Sequence, residues 1–60
     1  MNGYIIESIR GGRVICACRY NRGRHATIQA ARILADKTGD GVRVRVADVN
    51  GDGEIIYQEG

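Results

Sequence analysis

The stretch HATIQAARILADKTG, residues 25–39, decides the fold because no other segment shows helical periodicity. Its apolar residues recur at helical spacing and would form one stripe on the helix: Ile28, Ala31, Leu34 and Ala35. We predict a helix of about three turns, with Thr27 as its N-cap and Gly39 just past its C-terminus. The apolar stripe requires a sheet to pack against.

Two segments before the helix, at 4–9 and 13–20, are rich in Ile, Val, Tyr and Cys, and the turn signal Gly11-Gly12 separates them. They predict a β-hairpin. By a period of two, the face toward the helix would carry Tyr4, Ile6, Ser8, Val14, Cys16, Cys18 and Tyr20. The opposite face would carry Ile5, Glu7, Ile9, Ile15, Ala17 and Arg19. The two cysteines would then be buried free thiols, because residues two apart on one strand are poorly placed to form a disulfide.

Two further strands are predicted after the helix. The run VRVRV at 42–46 alternates strictly, with valines toward the helix and arginines away from it. A last strand at 54–59 would follow the turn at 50–53, with Ile55 and Tyr57 facing inward and Ile56 and Gln58 facing outward.

The order of these elements is β-β-α-β-β in a single small domain covering residues 1–60. A right-handed crossover through the helix would place the third strand beside the first. The predicted fold is therefore a two-layer α+β domain, in which a four-stranded antiparallel sheet of order 2-1-3-4 carries one helix on one face. A domain of this size has little core, and forming a homodimer would stabilise it.

The composition indicates an arginine-rich chain with a modest net charge of +2, in which eight of the nine basic residues are Arg. That charge alone does not imply nucleic acid, and GC-rich codon usage is an alternative explanation of the Arg excess. There is no apolar run long enough to span a bilayer and no secretory signal pattern, so we expect a soluble cytoplasmic protein without a cofactor.

The segment TIQAARILADKTGDGVRVRVADVNGDGEIIY, residues 27–57, resembles the helix-then-hairpin half of small β-β-α-β-β proteins of actinobacteria and their phages. The shared pattern is a T-x-x-A-A-x-x-x-A helix followed by a Val-Arg-Val strand and an Asp-Gly turn; its helix positions here are Thr27, Ala30, Ala31 and Ala35. The resemblance covers roughly the second half of the chain. It implies the fold and an actinobacterial or phage origin, and it implies no activity.

One motif has metal-ligand spacing. Residues 48–59 resemble the calcium loop of EF-hand proteins, with these candidate oxygen ligands: Asp48, Asn50, Asp52, the Glu54 carbonyl and Glu59. An EF-hand loop joins two helices, whereas here a strand leads in. Asn-Gly and Asp-Gly are also strong hairpin signals, so a tight turn is the competing interpretation.

The sheet face away from the helix is the main candidate for a binding surface. It would carry isoleucines together with arginines, a mixture typical of protein interfaces: Ile5, Ile9, Ile15, Arg19, Arg43, Arg45 and Ile56. We expect this face to bind a protein partner or a second copy of the chain. The alternative is a solvated face on which Glu7 and Gln58 pair with the arginines.

Nucleic-acid binding is the second functional hypothesis. It would use arginine contacts to phosphates, including a cluster where the helix begins: Arg19, Arg22, Arg24, His25, Arg43 and Arg45. The three tyrosines are all assigned to the inner face, so base stacking on the sheet is not expected. We do not expect an enzyme, because a Cys-His pair would need a cleft and zinc at Cys16, Cys18 and His25 would lack a fourth ligand.

Overall fold

The structure, a computed structural model, describes residues 3–48 and 53–60. Its elements are β1 (Tyr4–Arg10), β2 (Arg13–Tyr20), α1 (Arg24–Thr38), β3 (Gly41–Val46) and β4 (Ile55–Glu59). The four strands form one antiparallel sheet of order β2-β1-β3-β4, with α1 packed on β3 and β1. This confirms the predicted fold and strand order. Within the described ranges, no helix has the length and hydrophobicity needed to cross a bilayer.

The helix begins one turn earlier than predicted. It spans 15 residues, about four turns, and its N-cap is Gly23, which makes no side-chain capping bond. Thr27 is fully buried within the first turn, and its hydroxyl donates to the Gly23 carbonyl at 2.6 Å. The predicted N-cap role of Thr27 is therefore wrong, because the hydroxyl satisfies its hydrogen bond inside the helix. Gly39 is the left-handed C-cap as predicted, with φ of 77°.

The core lies between α1 and the two central strands. Four residues form its buried cluster: Ile6, Ala31, Val42 and Val44. Ala31 has no exposed surface, and its small side chain lets the helix axis approach the sheet closely. Leu34 and Ala35 pack against this cluster while remaining partly exposed, and Ile28 is half-buried. The residues of the predicted apolar stripe are therefore buried to different extents.

The helix leaves β2 uncovered. Seven of the eight residues of β2 are exposed, including Cys16 and Cys18. The prediction that these thiols are buried is therefore wrong. The reason is width: a helix is about 10 Å across with its side chains, which covers about two strands spaced 4.8 Å apart. Because α1 lies over β1 and β3, Cys16 and Cys18 on the helix-facing side of the edge strand remain exposed, whereas Tyr20 at its end packs against the core.

A shift in register changes the predicted face of one residue on β2. Pairing is regular from Tyr4 opposite Tyr20 to Ser8 opposite Cys16, and then Ile9 lies opposite Val14. Opposed residues of an antiparallel pair share a face. Val14 therefore lies on the face away from α1, which we call the outer face, and its predicted inward position is wrong.

A second shift alters β4. Tyr57 lies opposite Val44 and faces the helix as predicted, but Ile55 lies opposite Arg45 on the outer face and is exposed. Ile56 packs against the buried cluster. The predicted inward position of Ile55 and outward position of Ile56 are thus wrong, because one extra residue on β4 reverses the alternation.

Candidate interaction surfaces

An ionic cluster occupies the outer face of β1 and β3. One carboxylate oxygen of Glu7, Oε1, accepts hydrogen bonds from Arg43 Nε at 2.7 Å and from Arg45 Nε at 3.2 Å. Strand register produces this geometry, because Glu7 lies opposite Arg43 and Arg45 is the next residue of β3 on the same face. The side chains of Glu7, Arg43 and Arg45 are only 15, 23 and 18% exposed. We call this group the Glu7 cluster.

The lowered pKa of Glu7 agrees with these ion pairs. Burial alone would raise the pKa of the Glu7 carboxyl, but the hydrogen bond from Arg43 and the charges of Arg43 and Arg45 outweigh it and hold that pKa below its usual value. Glu7 therefore pairs with these arginines, as the solvated-face alternative proposed. Gln58 lies opposite Arg43 and is exposed. Arg43 and Arg45 are engaged within the protein and are less free to contact a phosphate than the sequence suggested.

The predicted partner-binding residues divide into separate groups. Ile5 and Ile9 are half-buried beside the Glu7 cluster, whereas Ile15 and Arg19 are exposed on β2. Ile56 packs against the core instead of joining them. The continuous Ile and Arg face expected from alternation is therefore reduced to the part nearest β2.

The largest exposed apolar side chains of the strands are concentrated on β2. Val14 and Ile15 are 46 and 47% exposed, and the thiols of Cys16 and Cys18 are exposed on the helix-facing surface. We call the exposed surface of Val14 through Cys18 the β2 surface. β2 also pairs with β1 alone, so one row of its backbone groups has no partner strand in the described part of the chain.

The charged residues of β2 itself and of the segment that follows it are all positive. Residues 8–35 contain six arginines and neither Asp nor Glu. Four of these arginines are exposed on β2 or shortly after it: Arg13, Arg19, Arg22 and Arg24. All of the acidic residues lie outside this segment, so the β2 edge of the sheet is the basic edge.

The second basic cluster lies at the start of α1. Arg22, Arg24 and His25 are all exposed, and the first turn of α1 contains no acidic residue. His25 Nε2 shares a hydrogen bond with the Gln29 side-chain amide at 3.1 Å, one turn along the helix. The structure thus brings these predicted anion-binding residues together on the surface but does not enclose them.

The candidate calcium ligands are only partly brought together. Asp48 follows β3 and Glu54 precedes β4, at the same end of the strand pair. Glu59 lies opposite Val42 at the other end, and Val42 and Val46 are about 13 Å apart along a strand. Asn50 and Asp52 lie outside the described residues. Calcium binding by this segment stays a prediction, and it would require an oxygen ligand other than Glu59 to complete the site.

The described residues do not form a metal-binding site of His, Cys, Asp or Glu side chains. Among residues 3–48 and 53–60, no three His, Cys, Asp or Glu side chains are grouped closely enough to hold a metal ion. The Cys16, Cys18 and His25 combination is therefore not assembled as a zinc site.

An open groove lies between α1 and the end of β4. Its lining contains side chains of both charges and one exposed isoleucine, Ile33.

One ion pair was not anticipated from the sequence. Arg10 donates from Nε and Nη2 to the two carboxylate oxygens of Asp40, at 2.9 and 3.0 Å. This hydrogen bond lowers the pKa of the Asp40 carboxyl and raises the pKa of Arg10. The pair joins the end of β1 to the residue before β3, and 30 positions separate its partners, so no local pattern could have revealed it.

No protein-family model, curated protein or solved structure matches this chain. The resemblance to actinobacterial and phage proteins therefore stays a prediction.

Proposed function

We propose that this protein is a non-enzymatic interaction module that binds a protein partner through the β2 surface. The observation that supports the proposal best is that β2 carries apolar side chains and is nevertheless exposed on both faces. Fully burying an isoleucine or valine contributes about 1.5–3 kcal/mol, so covering the half-exposed Val14 and Ile15 would contribute about 2 kcal/mol together. A partner that covers β2 would gain this free energy.

The proposed surface is smaller than the face expected from the sequence. Ile15 belongs to it, and Arg19, Ile5 and Ile9 lie beside it. The Glu7 cluster borders it and supplies arginines that are paired with a carboxylate in place of free ones. A role as an accessory protein in the cytoplasm of an actinobacterium or of its phage-infected cell is part of this proposal, and it is supported by the resemblance of residues 27–57 and by the composition.

The test is capture of a partner by tagged protein from a GC-rich bacterial lysate, with nuclease treatment and two matched variants. Ile15→Asp places a charge on the β2 surface, and Ile33→Asp places the same charge at an isoleucine of α1 that is 57% exposed. We expect a partner that survives nuclease, is lost with Ile15→Asp and is retained with Ile33→Asp. Equal capture by both variants would refute the proposal.

Nucleic-acid binding is the second candidate, supported by six arginines without an acidic residue in residues 8–35. Arg22 and Arg24 are its strongest members, because they are exposed in the segment that leads from β2 into α1. Binding by phosphate contacts would weaken steeply with salt. Captured material that disappears with nuclease, and with the double variant Arg22→Glu and Arg24→Glu, would favour this candidate.

A further inference from the structure

We infer that the partner segment is an acidic peptide in an extended conformation, which adds to the free edge of β2 as a fifth strand. This inference rests on the proposed function and names the class of partner. It follows from three features of β2: its unpaired backbone edge, its central apolar residues and the arginines at and beyond its ends.

The backbone of β2 is suited to receive a strand. Five consecutive residue pairs, from Tyr4 with Tyr20 to Ser8 with Cys16, keep β2 regular over residues 16–20. In an antiparallel sheet, alternate residues of an edge strand point their N–H and C=O groups away from the neighbour. These groups on β2 face no other strand in the described part of the protein. An added strand would bind them with main-chain hydrogen bonds, as in known cases of β-augmentation.

The opposite edge of the sheet is less suitable. β4 has five residues, and a register irregularity interrupts its pairing after Val44. It also ends at Glu59 and follows Glu54, so its own charge is negative. The pairing of β2 is also irregular, between Val14 and Cys16, but its regular run of five pairs is longer than the three of β4. Of the two edges of the described sheet, the one with the longer regular run is therefore also the positively charged one.

The arginines select the partner's charge. Arg13 lies at the start of β2 and Arg19 near its end, and Arg22 and Arg24 follow. Pairing of β2 with β2 of a second copy would bring two arginine-rich strands within about 5 Å of each other. Charged residues on an edge strand are a common device against such self-pairing. The same charges attract an acidic strand, so charge complementarity favours an acidic partner over a second copy.

The uncharged centre of β2 indicates which residue types the middle of the partner peptide should have. Between the two arginines, residues 14–18 carry no charge and expose Val14 and Ile15 as well as both thiols. A complementary peptide has small or apolar residues in its middle and Asp or Glu near each end. A suitable probe is a fluorescent, end-capped octapeptide with alternating Val and Thr in the centre and two acidic residues at each end.

The first experiment measures binding of this probe by fluorescence anisotropy. A control probe replaces each acidic residue with Lys, and a second control N-methylates the four central residues without changing charge. Losing two or more main-chain hydrogen bonds should weaken binding at least about tenfold. We expect the acidic probe to bind, the Lys probe not to bind, and the N-methylated probe to bind at least about tenfold more weakly.

Matched variants locate the site. Arg19→Glu changes the charge on β2, and Arg32→Glu makes the same change at an exposed residue of α1. We expect at least about a tenfold loss of affinity for the first variant and less than about a twofold loss for the second. A probe whose central cysteine is already in a disulfide with a small leaving thiol should also form a mixed disulfide with Cys16 or Cys18, because the protein thiolate attacks that disulfide and releases the small thiol. Mass spectrometry of the digested adduct would show which cysteine reacted.

Several results would overturn the inference. Equal binding of the N-methylated probe would mean charge attraction without strand addition, and equal binding to Arg19→Glu and Arg32→Glu would place the probe elsewhere. Self-association that competes with the acidic probe would make a second copy the occupant. If the acidic probe does not bind while partner capture still depends on Ile15, the inference fails and the proposed function stands. If capture does not depend on Ile15, the proposed function itself fails.

Discussion

Replacing Glu7 by Gln tests the role of the Glu7 cluster, because it removes one charge from between two arginines with almost no change in shape. In the native protein one Glu7 oxygen accepts from both Arg43 and Arg45, at 2.7 and 3.2 Å. Glutamine keeps an oxygen that can accept a hydrogen bond but cannot neutralise the guanidinium groups. The attraction of Glu7 to both arginines would be lost, and the repulsion between the two arginines would no longer be offset.

The size of the effect follows from the geometry of the two ion pairs. Opposite charges about 4 Å apart attract by about 4 kcal/mol at an effective dielectric constant of about 20, and Glu7→Gln removes two such attractions. Most of this attraction is offset, because the arginine side chains remain 23 and 18% exposed to solvent and because glutamine avoids the desolvation cost of a partly buried carboxylate. We expect Glu7→Gln to lower the free energy of unfolding by about 2 kcal/mol, which corresponds to a fall in Tm of about 10 °C.

The assay is urea unfolding followed by circular dichroism at neutral pH, with Glu54→Gln as the control. Glu54 is exposed before β4, so its neutralisation should change stability by less than about 0.5 kcal/mol. The double variant Glu7→Gln with Arg43→Leu should recover part of the loss, because it removes one of the two repelling charges. A loss for Glu7→Gln no larger than that for Glu54→Gln would refute the reasoning.

The Glu7 cluster also predicts how the stability of the protein depends on pH. The folded-state pKa of Glu7 is lowered, so its stabilising contribution is fully present above the unfolded pKa of about 4.3 and is lost as the pH falls through the lower folded pKa. The stability difference between the native protein and Glu7→Gln should therefore shrink below about pH 4. A difference that stays constant from pH 7 to pH 3 would contradict this assignment.

Three further predictions concern other parts of the fold. Gly53→Ala should destabilise the protein by more than about 2 kcal/mol in urea unfolding, because a Cβ at Gly53 would lie 1.5 Å from the Val46 carbonyl oxygen, and unchanged stability would refute this close approach. Arg10→Gln should change stability no more than Glu54→Gln does in the same assay, despite its bidentate geometry, because the Arg10 side chain is 68% exposed, and a larger loss would contradict the reasoning. Cys16 and Cys18 should both react with a thiol reagent in the native protein without denaturant, and protection of either thiol would contradict the exposure of β2.

Much of the fold follows from the sequence because it depends on periodicity and chain connectivity. The strict alternation of 42–46 and the single helical segment at 25–39 limit the arrangement of layers. The right-handed crossover then gives the strand order, which the structure confirms. These features are determined by local patterns that tolerate errors of one or two residues at the ends of elements.

The sequence predictions were wrong where the position of a single extra residue in a strand decides which face of the sheet a side chain occupies. The register shifts at Ile9 and at Arg45 move Val14 and Ile55 to the outer face, and no composition signal marked either shift. The exposure of Cys16 and Cys18 followed from the width of the helix relative to the sheet, which is a property of the assembled layers. The candidate interaction surface therefore moved from the whole outer face to β2.

The most direct test of strand addition at β2 is amide hydrogen exchange of the protein with and without the acidic octapeptide. We predict that alternate amides of residues 16–20 become protected on binding, while exchange in α1 does not change. Protection confined to Arg22 and Arg24, or to Arg43 and Arg45, would show that charge attraction brings the peptide to another surface. Unchanged exchange throughout β2 at a saturating concentration of peptide would contradict the account.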